Sequence, residues 1–254
     1  MKRLVFIFAF LLCCSAIQVQ ARGIMTMCGA GVPVAVTKYC TNESNDICID
    51  FESNSDCTDG ELEKTDNNAS SQTYVLSDGS SKLSCASTDA EKVGSKGMSW
   101  AGGASSYIGI GDLSVSSVSG GMWFYAGAID QWSYGSKLVE VRSSSYALCD
   151  FNYIREGGAS PIIQAYISEA DNVTVTAGNW YWVTWQVIQN STCKMAVYDA
   201  SGNEIAGSPT SQTGVPNQAI TTVRWGQQNT LSATLYYDDI AVDWTDATFP
   251  LTAK

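Results

Sequence analysis

The chain has no sustained helical period. It repeats a different pattern: a short segment in which apolar and polar side chains alternate, then a turn of Gly, Ser, Asp or Asn. Ile47, Ile49 and Phe51 alternate with Cys48, Asp50 and Glu52. Residues 122–128, 137–143, 147–155, 162–168, 180–188, 193–199, 221–226 and 231–244 also read as strands. Asp59-Gly60, Asp78-Gly79, Gly120-Gly121, Gly157-Gly158 and Ser201-Gly202-Asn203 punctuate them as turns. Successive side chains on a strand point to opposite sides, so each such strand has an apolar face to cover. Many short strands achieve this together by stacking as two sheets or closing as a barrel. The pattern predicts one all-β domain over residues 47–254. Residues 53–72, polar and partly acidic, read as a long loop within it, and residues 22–46 as a Cys-containing lead-in.

The start of the chain has the pattern of an export signal over residues 1–21. Met1-Lys2-Arg3 is basic, Leu4 to Ile17 is apolar but for Ser15, and Val19-Gln20-Ala21 is a small-residue cleavage pattern. The apolar run is too short to span a bilayer, and no later run approaches the length of a membrane span. A secreted or extracellular protein is expected, in the periplasm or at the cell surface where the host has them. Of the nine cysteines, Cys13 and Cys14 fall in this segment. Cys28, Cys40, Cys48, Cys57, Cys85, Cys149 and Cys193 remain. Most should pair in an oxidising compartment, but an odd number leaves at least one free or bonded outside the chain. Cys149 and Cys193 share strand parity with apolar neighbours and so point to a core face, as a bridge or as two inert thiols.

Composition removes several functions. There is no histidine, which excludes Ser-His-Asp and Cys-His catalysis and any zinc site needing imidazole. Fourteen basic against 25 acidic residues give a net charge of −11, which argues against nucleic acid as a partner. No Gly-rich segment is followed by the Lys-Ser/Thr and helix of a phosphate loop. Charged residues make up 15% of the chain, below the usual figure of about 25%, so the polar surface is built of Ser, Thr, Asn, Gln and Gly. Asn42, Asn68, Asn172 and Asn190 each open an Asn-x-Ser/Thr triplet, an N-glycosylation acceptor in a eukaryotic host; in so Ser/Thr-rich a chain such triplets also arise by chance, and that reading is preferred.

Residues 179–207 resemble a known family. Asn179-Trp180-Tyr181-Trp182-Val183-Thr184-Trp185, followed by Met195-Ala196-Val197-Tyr198-Asp199-Ala200-Ser201-Gly202-Asn203-Glu204, looks like the paired strands of concanavalin A-like (laminin-G-like) jelly rolls. Leu235-Tyr236-Tyr237-Asp238-Asp239-Ile240-Ala241-Val242 resembles the last strand of those domains and of jelly-roll carbohydrate-binding modules. Asp50-Phe51-Glu52-Ser53 resembles the modules' opening strand, without the Gly that follows there. The resemblance covers roughly residues 47–250 and implies an antiparallel β-sandwich of jelly-roll type. It also implies a structural Ca²⁺, held by the Glu of the opening strand and an Asp of the closing strand. Carried over, the metal residues are Glu52 with Asp238 or Asp239. By parity Asp238 shares a face with Tyr236, Ile240, Val242 and Trp244. An inward carboxylate there needs a partner or a cation; the alternative is a β-bulge that turns both carboxylates to the surface.

A second constellation suggests a ligand face. On strand 180–188, Tyr181, Val183, Trp185 and Val187 form an apolar face, and the opposite face carries Trp180, Trp182, Thr184 and Gln186. An indole can stack on a pyranose while polar neighbours bond its hydroxyls. Glu140, Arg142, Asp150, Asn152, Gln164 and Tyr166 stand on the polar faces of their own strands. If these strands are consecutive in one sheet, they and the tryptophans line one concave surface. The competing reading packs Trp180 and Trp182 beneath a loop and makes Glu140–Arg142 an ordinary surface ion pair. The expectation is a non-catalytic protein that binds a polysaccharide or other glycan. An atypical glycoside hydrolase or polysaccharide lyase, using Glu140 with Asp150 or Arg142 with a Tyr, is one alternative. A structural or adhesive surface protein, disulfide-linked through its odd cysteine, is the other.

Overall fold

A computed structural model describes residues 46–49, 51, 73–77, 83–87, 90, 92, 97–100, 107–127, 131–155, 158–167, 170–226 and 235–251. The expected signal segment, nearly all of the lead-in, the loop over 53–72 and Glu52 lie outside them. Fifteen strands are described: β1 (Ile47–Ile49), β2 (Thr73–Ser77), β3 (Leu83–Ser87), β4 (Gly97–Trp100), β5 (Tyr107–Gly111), β6 (Ser117–Ala126), β7 (Gln131–Arg142), β8 (Ala147–Arg155), β9 (Ile162–Tyr166), β10 (Ala170–Thr174), β11 (Asn179–Ile188), β12 (Thr192–Asp199), β13 (Thr210–Thr213), β14 (Thr222–Trp225) and β15 (Leu235–Asp243). They form two antiparallel sheets. Sheet A runs β13-β12-β11-β6-β15-β4-β3, with β1 also on β15, and sheet B runs β10-β9-β8-β7-β14-β5-β2. The chain is all-β, as the alternation predicts, and an antiparallel sandwich of jelly-roll type.

Alternation builds the core. Val139 and Val141 of β7, Phe151 and Tyr153 of β8 and Ile163 of β9 face Met122 and Phe124 of β6, Val183, Trp185 and Val187 of β11 and Val197 of β12. Trp185 and Phe151 meet between the sheets with ring centroids 5.7 Å apart. The Cys149–Cys193 disulfide joins β8 of sheet B to β12 of sheet A; of the two options parity left open, a bridge is formed. Cys28, Cys40, Cys48, Cys57 and Cys85 have side chains outside the described set.

Two expectations about local structure are corrected, and a second bulge places a further side chain. Gly120-Gly121 is no turn but the middle of β6. A Cβ on Gly120 would collide with the Trp185 ring on the core face, and one on Gly121 with the Trp182 ring on the other. The pair is a slot for two indoles, and strand pairing on both sides carries glycine's conformational cost. On β15 a bulge between Asp238 and Ala241 shifts the register against β6, so Tyr237 and then Ile240 and Val242 face the core. Tyr236 pairs with Tyr125, and Asp238 with Trp123 of the non-core cluster, so Asp238 does not share the face of Ile240 and Val242. On β7 a bulge between Lys137 and Val139 sends Leu138 to the core and aligns Lys137 with Asn152.

Candidate ligand-binding site

The expected ligand residues divide between the two outer faces of the sandwich. Trp180, Trp182 and Gln186 lie on β11 of sheet A, whereas Glu140, Arg142, Asp150, Asn152, Gln164 and Tyr166 lie on β7, β8 and β9 of sheet B. A single surface carrying both groups is therefore excluded. Strands β7, β8 and β9 are neighbours, as expected, but β11 pairs with β6 and β12.

The outer face of sheet A is covered. The chain leaves β15 and residues 244–251 return across β11. Asp46 starts the turn: its Oδ2 accepts from the amides of Trp244 and Thr245 at 2.7 and 2.8 Å, and its Oδ1 from Thr245 Oγ1 at 2.8 Å. Asp243 Oδ1 accepts from the amides of Thr245 and Asp246, each at 3.0 Å. Gln186 Nε2 then donates to the Ala247 carbonyl, and the Leu251 amide donates to Thr184 Oγ1 at 3.1 Å. Leu251, Trp123, Trp182 and Ala241 form a second apolar cluster. Trp182 is 6% exposed and packs edge-on to Trp123 with ring centroids 5.6 Å apart. Trp180 is half-buried against Tyr125 at 5.5 Å. Parity correctly separates these residues from the main core, but the expectation that they stand free for a partner fails for Trp182, whose place is taken by segment 244–251, and Trp180 is partly covered by packing against that cluster and Tyr125.

The outer face of sheet B is built differently. Glu140 pairs with Asp150 on β8 and with Arg224 on β14, Asp150 with Tyr166, and Asn152 with Gln164. Glu140 is 1% exposed. Its Oε1 accepts from Lys137 Nζ at 2.7 Å and from Arg142 Nη1 at 2.9 Å, and its Oε2 lies 3.7 Å from Arg224 Nη1. Lys137 Nζ also holds Asp150 Oδ2 at 3.0 Å. One ammonium thus bridges two carboxylates on neighbouring strands. Burial pushes the Asp150 carboxyl above its ordinary pKa, and the attraction of Lys137 does not offset it. Gln164 Nε2 donates to Asn172 Oδ1 of β10 at 3.0 Å. Three buried acceptors on this face, Glu140 Oε2, Asp150 Oδ1 and Asn152 Oδ1, receive no hydrogen bond, and Arg224 Nε donates none. Buried polar atoms normally find partners, so each of these has unused bonding capacity. Lys137 and Arg224 were missed from sequence: the first reaches this face through a bulge, and the second needs the β7–β14 pairing to be known.

Asp238 and Asp239 are both buried, and Asp239 has φ 45° within the bulge. Asp238 Oδ2 accepts from the Lys92 amide at 2.9 Å and its Oδ1 from the Asp239 amide at 2.8 Å. Hard carboxylate oxygens suit Ca²⁺, but these two residues supply only part of its shell. Among the described residues no group of three or more His, Cys, Asp or Glu could hold a metal, and Glu52 lies outside them.

No protein-family model and no curated protein matches the sequence. Solved structures do match in part. "Cellulose induced protein, Cip1" aligns at 17% identity and TM-score 0.48, over 78% of this chain and 97% of that one. Domain 4 of AbnA, an extracellular arabinanase of Geobacillus stearothermophilus, in complex with arabinotriose, aligns at 12% identity and TM-score 0.44, over 78% and 91%. An endo-β-1,4-glucuronan lyase of Trichoderma reesei aligns at 11% identity and TM-score 0.46, over 79% and 96%. At these values the likeness assigns no activity to this chain. Among the described residues no helix is long and apolar enough to cross a membrane.

Proposed function

We propose that the protein is exported and binds a glycan without cleaving it, on the outer face of sheet B around Glu140. The observation that carries this is the row of buried, unfilled acceptors Glu140 Oε2, Asp150 Oδ1 and Asn152 Oδ1. They stand beside half-buried Gln164 and Tyr166 on a rigid set of paired strands. Sugar hydroxyls are donors that match open acceptors, and a phenol edge offers apolar contact to a ring. The inter-sheet disulfide fits an oxidising compartment. Glu52, Asp238 and Asp239 are proposed to hold a structural Ca²⁺ in the same protein, distant in sequence from the ligand strands.

Retention on immobilised polysaccharides by affinity electrophoresis tests the reading, with Gln164→Ala and Tyr166→Ala as variants. Each removes about one polar or aromatic contact, so affinity should fall about tenfold with the melting temperature little changed. Unaltered retention in both variants would place the ligand elsewhere. Repeating the melt with EDTA tests the Ca²⁺ site: a lower melting temperature supports it, and an unchanged one removes it.

A hydrolytic reading has one observation in its favour, the Glu140–Asp150 pair bridged by Lys137. Glycoside hydrolysis uses two carboxylates. Here Glu140 Oε1 is held by two cations and the residue is covered, which suits a fixed scaffold better than a nucleophile. Release of reducing ends from a retained polymer would reverse that preference.

A further inference from the structure

We propose that the ligand of this face is an acidic glycan, with a uronate carboxylate seated on Arg224 and its hydroxyls on the neighbouring acceptors; this rests on the glycan-binding reading above. Arg224 lies on β14 between Glu140 of β7 and Gly109 of β5. Gly109 has no side chain to fill its place in the row, and a Cβ there would come within 3.1 Å of Arg224 Cγ. The arginine stem passes through that gap, and its guanidinium carbon lies 4.4 Å from the centroid of the Tyr107 ring. Contact with an aromatic face holds the planar fork in one orientation. The fork is oriented but not filled. Its Nη1 is 3.7 Å from Glu140 Oε2, too far for a hydrogen bond, and its Nε is buried and donates to nothing.

A carboxylate is the planar two-acceptor group that such a fork binds best. Charge points the same way. Lys137, Arg142 and Arg224 face Glu140 and Asp150, three cations against two anions, on a chain whose net charge is −11. The Arg142 and Arg224 side chains are 22 and 21% exposed, Lys137 16%, Asp150 15% and Glu140 1%. The two arginines are the most exposed of the five charges, and an arriving ligand meets them first. A neutral sugar would leave the surplus charge uncompensated as it excludes water. A uronate compensates it and still brings hydroxyl donors for Asp150 Oδ1 and Asn152 Oδ1.

The test uses the full chain and three polymers: a polyuronate, the same polymer with its carboxyls reduced to alcohols, and a sulfated polysaccharide. Retention is measured for the native protein, Arg224→Lys and Arg224→Gln. Carboxyl reduction should weaken retention of the native protein about tenfold or more, and each variant should lose about tenfold on the polyuronate, because Lys keeps the charge but not the fork. The reduced polymer needs no variant, so a misfolded Arg224→Gln cannot decide the matter. Equal retention of the polyuronate and its reduced form overturns the acidic-ligand inference and leaves glycan binding standing. Equal retention of the sulfated polymer, with Arg224→Lys unaffected, overturns it in favour of unspecific charge attraction. Retention of no polymer at all overturns this inference and the reading beneath it.

Discussion

The two outer faces of the sandwich begin from the same alternation and end in opposite states. On sheet A, Trp182, Thr184 and Gln186 are covered by residues 244–251, whose backbone meets the polar side chains and whose Leu251 completes the apolar cluster. On sheet B, the corresponding positions hold four charged groups around a covered glutamate, with several bonding sites still unfilled. An aromatic row is therefore not in itself a binding face. A protein can give indole rings their apolar cover with its own chain. A carboxylate cluster is harder to satisfy internally, because every oxygen and every ammonium needs a directed partner.

The largest expected effect tests the covered face. Trp182→Ala should destabilise the fold by about 4 kcal/mol, the usual scale for a buried tryptophan, seen as a lower melting temperature or denaturant midpoint. Glycan retention by the fraction still folded should not change; a specific loss of retention would make sheet A the ligand face after all. Leu251→Ala should cost about 2 kcal/mol and raise the quenching of tryptophan fluorescence by acrylamide. Unchanged quenching would mean that Leu251 does not shield those indoles.

The smallest effect concerns the charged face and its dependence on pH. The folded chain holds the Asp150 proton more tightly than the unfolded chain does, because the carboxyl's pKa is raised from 3.8 by burial. Its contribution to stability is therefore greatest below the ordinary carboxylate pKa. It is lost as pH rises from that value through the raised one. Asp243, also raised by burial, acts in the same direction. Asp150→Asn should flatten the decline in melting temperature across that window while leaving the share due to Asp243. A decline as steep as in the native protein would show that Lys137 outweighs burial at Asp150.

Much of this arrangement was legible in the sequence. The alternation on residues 180–188 correctly separates Trp185 and its partners from Trp180 and Trp182, and β7, β8 and β9 appear where their patterns place them. Sheet membership was not legible. Strand β11 joins sheet A through β6, more than fifty residues earlier, and no local pattern encodes that pairing. Residues 244–251 carry no strand signal, so nothing marked them as cover. Bulges defeat parity by adding a residue, which is why Asp238 was assigned to the wrong face and Lys137 was overlooked. Strands β2, β3, β4, β5, β10 and β13 were missed; in β4, β5 and β13, Gly-Met-Ser-Trp, Tyr-Ile-Gly-Ile-Gly and Thr-Ser-Gln-Thr look like turn sequence. In β5, Gly109 lies against the Val223 carbonyl and the Arg224 stem, where a Cβ would come within 2.6 and 3.1 Å of them.

The bond between Cys149 and Cys193 has one more consequence. Every peptide link from Asp150 to Thr192 lies inside a closed covalent loop, including the exposed stretch Gly158 to Ser160. A protease that nicks the chain there produces two pieces that stay tethered and stacked on each other. The molecule can therefore be cut once and keep its charged face assembled, with the damage visible only after reduction.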